Sequence, residues 1–139
     1  PRKPKHQYRD RCKGEGCRRA VQRGGLCSDC ESRFLVIVNE RLSQYGITTT
    51  DRLAITPDGY LQIRVGNRFM GEHRVVMKHH LGREYYPGEN VHHLNGCRTD
   101  NRIENLELWV SIQPSGQRPS DLVKYAHEIL ARYASDQKP

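Results

Sequence analysis

Four of the five cysteines in this 139-residue chain lie within 19 positions near its beginning. Cys12, Cys17, Cys27 and Cys30 follow the spacing C-x4-C-x9-C-x2-C, with two glycines inside each of the longer gaps. Tetrahedral zinc takes its thiolate ligands in pairs presented by tight turns, and glycine permits the backbone conformations that such turns require. The spacing therefore predicts a structural zinc site with four cysteine ligands, and two disulfides are the alternative.

Such a site is closed, because thiolates fill all four coordination positions and none is left for a substrate. A structural zinc ion can contribute on the order of 10 kcal/mol of folding free energy. That support suits this chain, which has only 35% hydrophobic residues and a mean hydropathy of −0.84, so its core must be small. The fifth cysteine, Cys97, is expected to be a small buried or loop residue.

A second group of residues with chemical potential is the pair His92 and His93, followed by a loop rich in Asn and Asp at positions 95–105. Neighbouring side chains of a β-strand point to opposite faces, so one imidazole can face a metal ion while the other faces a substrate. The alternative interpretation is two surface histidines on an edge strand. His73, in a predicted helix, is expected to be structural.

Helices and strands that position these residues can be predicted from hydrophobic periodicity and turn signals. A helix capped by Ser28 or Asp29 is expected over 31–45, and the last helix, capped by Ser120 or Asp121, is expected to end near 134 with an inward apolar stripe. Trp109 is expected in the core. The remaining predicted elements are strands at 52–56, 60–65 and 68–70, a helix at 72–81, and strands at 91–94 and 106–112.

The net charge of +7 is carried entirely by residues 1–23, which hold nine basic and two acidic side chains, whereas residues 24–139 hold 14 of each. A basic arm on a neutral body is the electrostatic footprint of a nucleic-acid-binding protein, and a solvated tail is the alternative. Residues 1–11 are expected to be disordered without a partner. The longest apolar run is Phe34–Val38, and the chain opens with polar residues, so we expect no membrane segment, no signal peptide and a cytoplasmic protein.

Several motifs occur in a fixed order between residues 58 and 134. They are EHRVVM from position 72, LGR from 81, VHHLNG from 91, DNRIENLELW from 100 and QPSGQR from 113. Together they resemble the HNH endonuclease family of the phage and homing-endonuclease type, in which a zinc knuckle is a familiar accessory. The resemblance implies an α+β fold with a basic arm (1–11), a small zinc knuckle with its helix (12–46) and a ββα-metal (HNH) nuclease domain with a preceding hairpin and helix (52–139).

The resemblance also implies roles for individual residues. His93 resembles the general base that takes a proton from the attacking water, and His92 resembles the neighbouring ligand of a catalytic divalent ion, Mg²⁺ or Mn²⁺. Asn105 resembles the middle Asn of the motif, which ties the loop together and orients the base. The second metal ligand of the family is usually His or Asn, and here the nearest match is Gln113, a departure for which His127 is the fallback.

These roles imply a metal-dependent DNA endonuclease that nicks double-stranded DNA, or cuts both strands as a homodimer. Six arginines are expected to contact DNA phosphates, three near the zinc knuckle and three in the nuclease domain: Arg18, Arg19, Arg23, Arg74, Arg98 and Arg102. The alternative from another class is a non-catalytic zinc-containing DNA-binding protein on the same fold. A third hypothesis places a second structural metal at the histidine pair.

Overall fold

The computed structural model describes residues 12–13, 16–19, 25–47, 50–111, 116 and 118–135. These ranges contain three helices and five strands, and a short 3₁₀ turn at Ile103–Asn105 precedes the last strand. Strands β1, β2 and β3 form an antiparallel sheet in that order, and β4 and β5 form a separate antiparallel hairpin. The elements in chain order are α1 (Ser28–Gln44), β1 (Leu53–Ile55), β2 (Leu61–Val65), β3 (Arg68–Gly71), α2 (Glu72–Leu81), β4 (Glu89–His93), β5 (Leu106–Val110) and α3 (Pro119–Tyr133).

Helix α1 begins directly after a cysteine of the knuckle. The predicted caps Ser28 and Asp29 are wrong, because Cys27 is the N-cap and its carbonyl accepts the Glu31 amide at 2.8 Å. This start puts Cys27 and Cys30 three positions apart on the first turn, where side chains share one face. The predicted end is confirmed, since Gly46 adopts the left-handed conformation (φ 68°) that terminates helices.

One apolar cluster joins the knuckle, α1 and the first sheet. The predicted β1–β2 hairpin is confirmed, with Leu53 opposite Ile63 and Ile55 opposite Leu61. These four side chains are buried against α1 and against the knuckle, in a cluster that also holds Cys12, Leu26, Cys30, Val38 and Leu42. The knuckle segment and the first sheet, which lie on opposite sides of the predicted boundary at 46–52, therefore share a core.

The predicted strand–loop–strand arrangement is confirmed in the second half of the chain. Helix α2 packs Val76 and Met77 against Leu106 of β5, in a second, smaller cluster. In the β4–β5 hairpin His92 pairs with Glu107 and His93 with Leu106. Strand β4 starts two residues earlier than predicted and β5 ends at Val110, while predicted strand residue 112 lies outside the described residues.

Helix α3 lies loosely against the rest of the protein. It starts at Pro119 with Arg118 as N-cap, so the predicted caps Ser120 and Asp121 are wrong; proline suits the first helical position because its missing amide has no helical partner there. The predicted inward stripe is also wrong, since no α3 residue is buried and Leu130 is 60% exposed. Across the described ranges, no helix has the length and apolar character needed to cross a membrane.

Candidate metal centre and active site

The four knuckle cysteines converge as predicted. Their sulfur atoms all lie within 4.8 Å of one another, and the Sγ atoms of Cys17 and Cys27 are 3.7 Å apart. A zinc ion about 2.3 Å from each sulfur holds tetrahedral ligands roughly 3.8 Å apart, whereas a disulfide needs about 2.05 Å. The five cysteines, all of them among the described residues, form no disulfide with one another. The four-thiol metal site is therefore supported and the disulfide alternative is wrong.

A backbone donor favours the charged form of the Cys27 sulfur, whereas the hydrogen bond with Cys27 and burial raise the pKa of the Cys30 thiol to about 12. The Cys30 amide donates to the Cys27 sulfur and lowers the pKa of that thiol to about 7. The Cys27 amide in turn donates to Cys12 Sγ at 3.1 Å. Thiolate is the species that binds metal, and amides at the start of a helix stabilise it. The chemistry of the donor set thus fits a resident Zn²⁺.

His93 lies buried on the inner face of β4, at the end of a chain of hydrogen bonds. Its Nε2 is 2.7 Å from Asn101 Oδ1, and Asn101 Nδ2 donates to Glu72 Oε2 at 2.6 Å. The other carboxylate oxygen, Oε1, accepts Arg41 Nη1 at 2.7 Å. Glu72 and Asn101 are fully buried, and His93 is 5% exposed. Burial raises the pKa of Glu72, while the nearby Arg41 charge opposes that change.

A second imidazole, His73, faces His93 across the start of α2. The two ring centroids are 5.3 Å apart, and the Tyr60 ring lies 5.0 Å from His73 and 5.8 Å from His93. Gly71 makes room for this ring, because a Cβ there would come within 2.7 Å of His73 Cε1. Among the described residues, His73 Nδ1 is the buried side-chain nitrogen or oxygen that lacks a hydrogen-bond partner. Burial, with repulsion from His93 and Arg74, lowers the pKa of His73 to about 4.

His92 lies on the opposite, exposed face of β4. Its ring stacks on Trp109 with centroids 4.2 Å apart, and the Trp109 indole donates to Glu107 at 2.7 Å. Trp109 is 53% exposed, so its predicted place in the core is wrong. The stack explains why Trp109 is exposed. One face of the hairpin is covered by no other described element, and it carries Trp109, Glu107 and His92.

The predicted catalytic cation site is only partly within the described residues. The His92 side chain makes no hydrogen bond to them, and Glu107 is its cross-strand partner in the hairpin. Gln113, the predicted second ligand, lies outside the described residues, and the fallback His127 is exposed on α3. Apart from the four cysteines, no three described His, Cys, Asp or Glu side chains are placed to share an ion.

Asn105 closes the loop that follows His93. Its Oδ1 accepts the Asn95 amide at 3.0 Å, and its Nδ2 donates to Asn95 Oδ1 at 2.9 Å and to the Asp100 carbonyl at 2.8 Å. Arg102 holds the same loop through two 2.8 Å bonds to Asp100, and it lowers the pKa of that carboxyl to about 2. Asn105 thus ties the loop as the resemblance implies, but the side chain that forms a hydrogen bond with the His93 ring is Asn101.

The arginines predicted to contact DNA have different surroundings. Arg98 lies beside the His93 cluster, with its guanidinium 4.9 Å above the Tyr60 ring and a hydrogen bond to the Asp58 carbonyl. Arg74 stacks 4.4 Å above Tyr85, and Arg102 is paired with Asp100. Arg18 and Arg19 are exposed on the knuckle, where Arg19 pairs with Asp29. Arg23 and the arm (1–11) lie outside the described residues.

A comparison with protein families identifies the segment that carries this geometry. A family model described as HNH endonuclease matches residues 71–111, from the last residue of β3 to the residue after β5. Neither the curated proteins nor the solved structures that were searched contained a match. The predicted HNH resemblance is therefore confirmed for this segment, and with it an α+β chain that joins a four-cysteine knuckle to an HNH region. HNH endonucleases act on DNA, so the match indicates a nuclease.

Three residues of the site were not singled out from the sequence: Arg41, Glu72 and Asn101. Arg41 lies 31 positions from Glu72, and Glu72 lies 29 positions from Asn101. The sequence carried no signal for Glu72, because a glutamate in the first turn of a helix is favoured whether or not it is buried. The tertiary partners that satisfy it could not be read from the pattern.

Proposed function

We propose that this chain is a metal-dependent DNA endonuclease that hydrolyses phosphodiester bonds, with His93 as the base that activates water. The observation that carries the proposal is the hydrogen bonding of the His93 ring, which lies within the segment that matches HNH endonucleases. One ring nitrogen, Nε2, is bound to Asn101, and the other, Nδ1, has no partner among the described residues.

The second nitrogen of the His93 ring is the proposed proton acceptor. His93 is 5% exposed, and no described residue forms a hydrogen bond with its Nδ1. A general base needs a lone pair within hydrogen-bond reach of a water molecule, and this edge of the ring offers one.

The reaction follows from phosphodiester chemistry. Water attacks phosphorus in line with the departing 3′ oxygen, a new P–O bond forms, and the bond between phosphorus and the 3′ oxygen breaks. The attacking water passes its proton to His93 Nδ1, the departing 3′ oxygen takes a proton from solvent water, and the products are a 5′-phosphate and a 3′-hydroxyl. Arg98, above the Tyr60 ring that faces His93, is suitably placed to bind a phosphate of the bound strand.

Two kinds of metal belong to the proposal. Zn²⁺ would occupy the four-cysteine site as a structural ion. A catalytic Mg²⁺ or Mn²⁺ would be bound by His92 and Gln113, and when bound it would neutralise charge that develops on the phosphate oxygens. The thiolate site needs reduced cysteines, which agrees with the proposed cytoplasmic location.

The proposed substrate is double-stranded DNA. The knuckle arginines Arg18, Arg19 and Arg23 and the basic arm would lie along the phosphate backbone, while Arg74, Arg98 and Arg102 would contact it nearer the cut. One such centre makes a nick, so cutting both strands requires a homodimer or two successive events.

The second candidate function is a non-catalytic DNA-binding protein that uses the same fold. It is favoured by one observation, namely that His92 has no second and third ligand among the described residues. Under this hypothesis the arm and the knuckle bind DNA, and the histidine site is a remnant that stabilises the loop.

A plasmid-nicking assay separates the two candidates. Supercoiled plasmid is incubated with the zinc-loaded protein and Mg²⁺ or Mn²⁺, with and without a chelator too weak to extract the cysteine-bound zinc. The nuclease proposal predicts relaxed circles that form only with the added divalent ion and that carry 5′-phosphate and 3′-hydroxyl ends. DNA binding without nicking under any divalent ion would support the second candidate and reject the first.

A further inference from the structure

We propose that Glu72 and Asn101, supported by Arg41, are positioning residues that hold the His93 imidazole in the tautomer with its proton on Nε2. The catalytic importance of this tautomer rests on the proposed function, because it is the tautomer whose Nδ1 lone pair can accept a proton from water. Neither residue belongs to the roles that the HNH resemblance implies.

The direction of each hydrogen bond follows from what its atoms can do. Arg41 can only donate, so Glu72 Oε1 accepts and the carboxylate charge is balanced by the guanidinium 2.7 Å away. The ionised carboxylate also accepts at Oε2, and this contact at 2.6 Å requires the amide nitrogen of Asn101 to face it. The amide oxygen of Asn101 then faces His93, and an amide oxygen accepts only. His93 Nε2 must therefore carry the proton.

Burial prevents water from replacing any of these hydrogen bonds, so the orientation of each group is fixed. Glu72 and Asn101 are 0% exposed, and the Arg41 side chain is 11% exposed. If the Asn101 amide turned over, its nitrogen would face His93 and its oxygen would face a carboxylate, with no water to compensate. Leaving a buried polar group unpaired is unfavourable, and more so when the group is charged. The Glu72 carboxylate thereby sets the orientation of an amide that in turn sets the His93 tautomer.

A second carboxylate in the same region offers a matched comparison. Glu89 is also buried and also paired with an arginine, since Arg83 donates to both of its oxygens at 2.8 Å. Tyr133 and the Tyr86 amide complete its hydrogen-bond partners, and none of these bonds involves His93. Glu89→Gln consequently controls for the general effect of neutralising a buried, arginine-paired carboxylate.

The test is a long-range proton–nitrogen correlation spectrum of the zinc-loaded protein with ¹⁵N-labelled histidine. The His93 signals are assigned by their loss in His93→Gln. The proposal predicts that the wild-type His93 ring is protonated at Nε2 and unprotonated at Nδ1 near neutral pH. In Glu72→Gln, whose amide can face Asn101 with either end, the second tautomer should appear, while Glu89→Gln should keep the wild-type pattern.

Cleavage rates test whether the tautomer of His93 matters for catalysis. In Glu72→Gln the single-turnover rate should fall about tenfold or more, as for other partners that orient an active-site imidazole, with unchanged DNA affinity. A wild-type ring protonated at Nδ1, or an unaltered tautomer in folded Glu72→Gln, would overturn the proposal. The wild-type spectrum, once assigned with His93→Gln, needs neither Glu72→Gln nor cleavage activity, so it decides the tautomer even if Glu72→Gln fails to fold or the nuclease proposal itself fails.

Discussion

The knuckle and the histidine site are both clusters of potential metal ligands, but they are built in opposite ways. In the knuckle, four side chains of one type converge within 4.8 Å, and Cys12 and Cys30 are buried. In the histidine site, neighbouring residues separate. His93 is buried and bound to Asn101, whereas His92 is exposed and stacked on Trp109.

The difference shows that one cluster of potential metal ligands is arranged to stabilise the fold, whereas the other is arranged as the proposed reaction requires. Four thiolates complete a coordination shell and can stabilise a fold that has little apolar core. The histidine site instead places His92 and His93 on opposite faces of the hairpin, as their proposed roles of metal ligand and base require. The two are linked by α1, which begins at the cysteine pair and carries Arg41 to Glu72 about three turns later.

The largest expected effect comes from removing the knuckle metal. We expect one zinc per chain, and its loss in Cys12→Ser should cost on the order of 10 kcal/mol of folding free energy. Zinc content and thermal denaturation by circular dichroism measure this. Cys97→Ser is the matched control, because Cys97 is exposed and outside the cluster. The same zinc content and stability in Cys12→Ser as in the wild type would show that Cys12 does not bind a structural zinc ion.

A smaller effect is expected at the exposed face of the hairpin. His92→Ala should fold normally but need at least tenfold more Mg²⁺ or Mn²⁺ for half-maximal nicking, because even indirect partners of a metal change its affinity by about 10- to 100-fold. His127→Ala, an exposed histidine on α3, is the control. The same cation requirement in His92→Ala and wild type would exclude His92 as a ligand.

The basic arm should affect binding without affecting chemistry. If about six phosphates are contacted, the log–log slope of affinity against salt should be on the order of −5. Replacing residues 1–11 with an uncharged Gly/Ser segment of equal length should flatten that slope and weaken binding, with the same cleavage rate at saturation. Fluorescence anisotropy at several salt concentrations measures it, and an identical slope would assign the arm no role in DNA binding.

The smallest effect is a pH dependence of stability that arises from His73. Burial lowers its pKa from 6.5 to about 4, so the unfolded chain binds a proton in this window that the folded protein does not. The stabilisation is complete above pH 6.5 and is lost as the pH falls towards 4, by about 1 kcal/mol at pH 5 after allowance for partial exposure. The raised pKa of Glu72 acts in the opposite direction, and comparison with a variant isolates the His73 contribution.

Urea denaturation of wild type and His73→Gln between pH 7 and pH 5 measures that contribution. The wild type should lose more stability than the variant over this range, and the exposed His79→Gln should behave as the wild type. A parallel loss in wild type and His73→Gln would show that His73 is not held neutral by burial.

Much of the fold could be predicted from the sequence because it depends on local patterns. Cysteine spacing predicted the metal cluster, and turn residues such as Gly59 and Gly82 marked the ends of strands and helices. The α1 start was missed because the cysteine pair, rather than a capping side chain, determines the first turn. The exposure of Trp109 was predictable after all, since positions 107 and 109 alternate with the apolar positions 106, 108 and 110.

The site was less predictable because its chemistry depends on contacts between distant residues. The adjacent histidines predicted opposite faces, and the structure has them there. Which face would be buried depended on the packing of α2, and the partners of His93 come from three separate segments. A one-dimensional pattern cannot supply the buried bonds among Arg41, Glu72 and Asn101.

The most direct test of the central claim is the single-turnover cleavage rate of His93 variants at saturating protein with Mg²⁺. We predict that His93→Ala binds DNA as wild type does but cleaves about 10²- to 10⁴-fold more slowly, the usual contribution of a general base. His93→Gln, whose amide can still donate to Asn101, should fold normally and be equally impaired. Cleavage by either variant at the wild-type rate would contradict the assignment of His93 as the base.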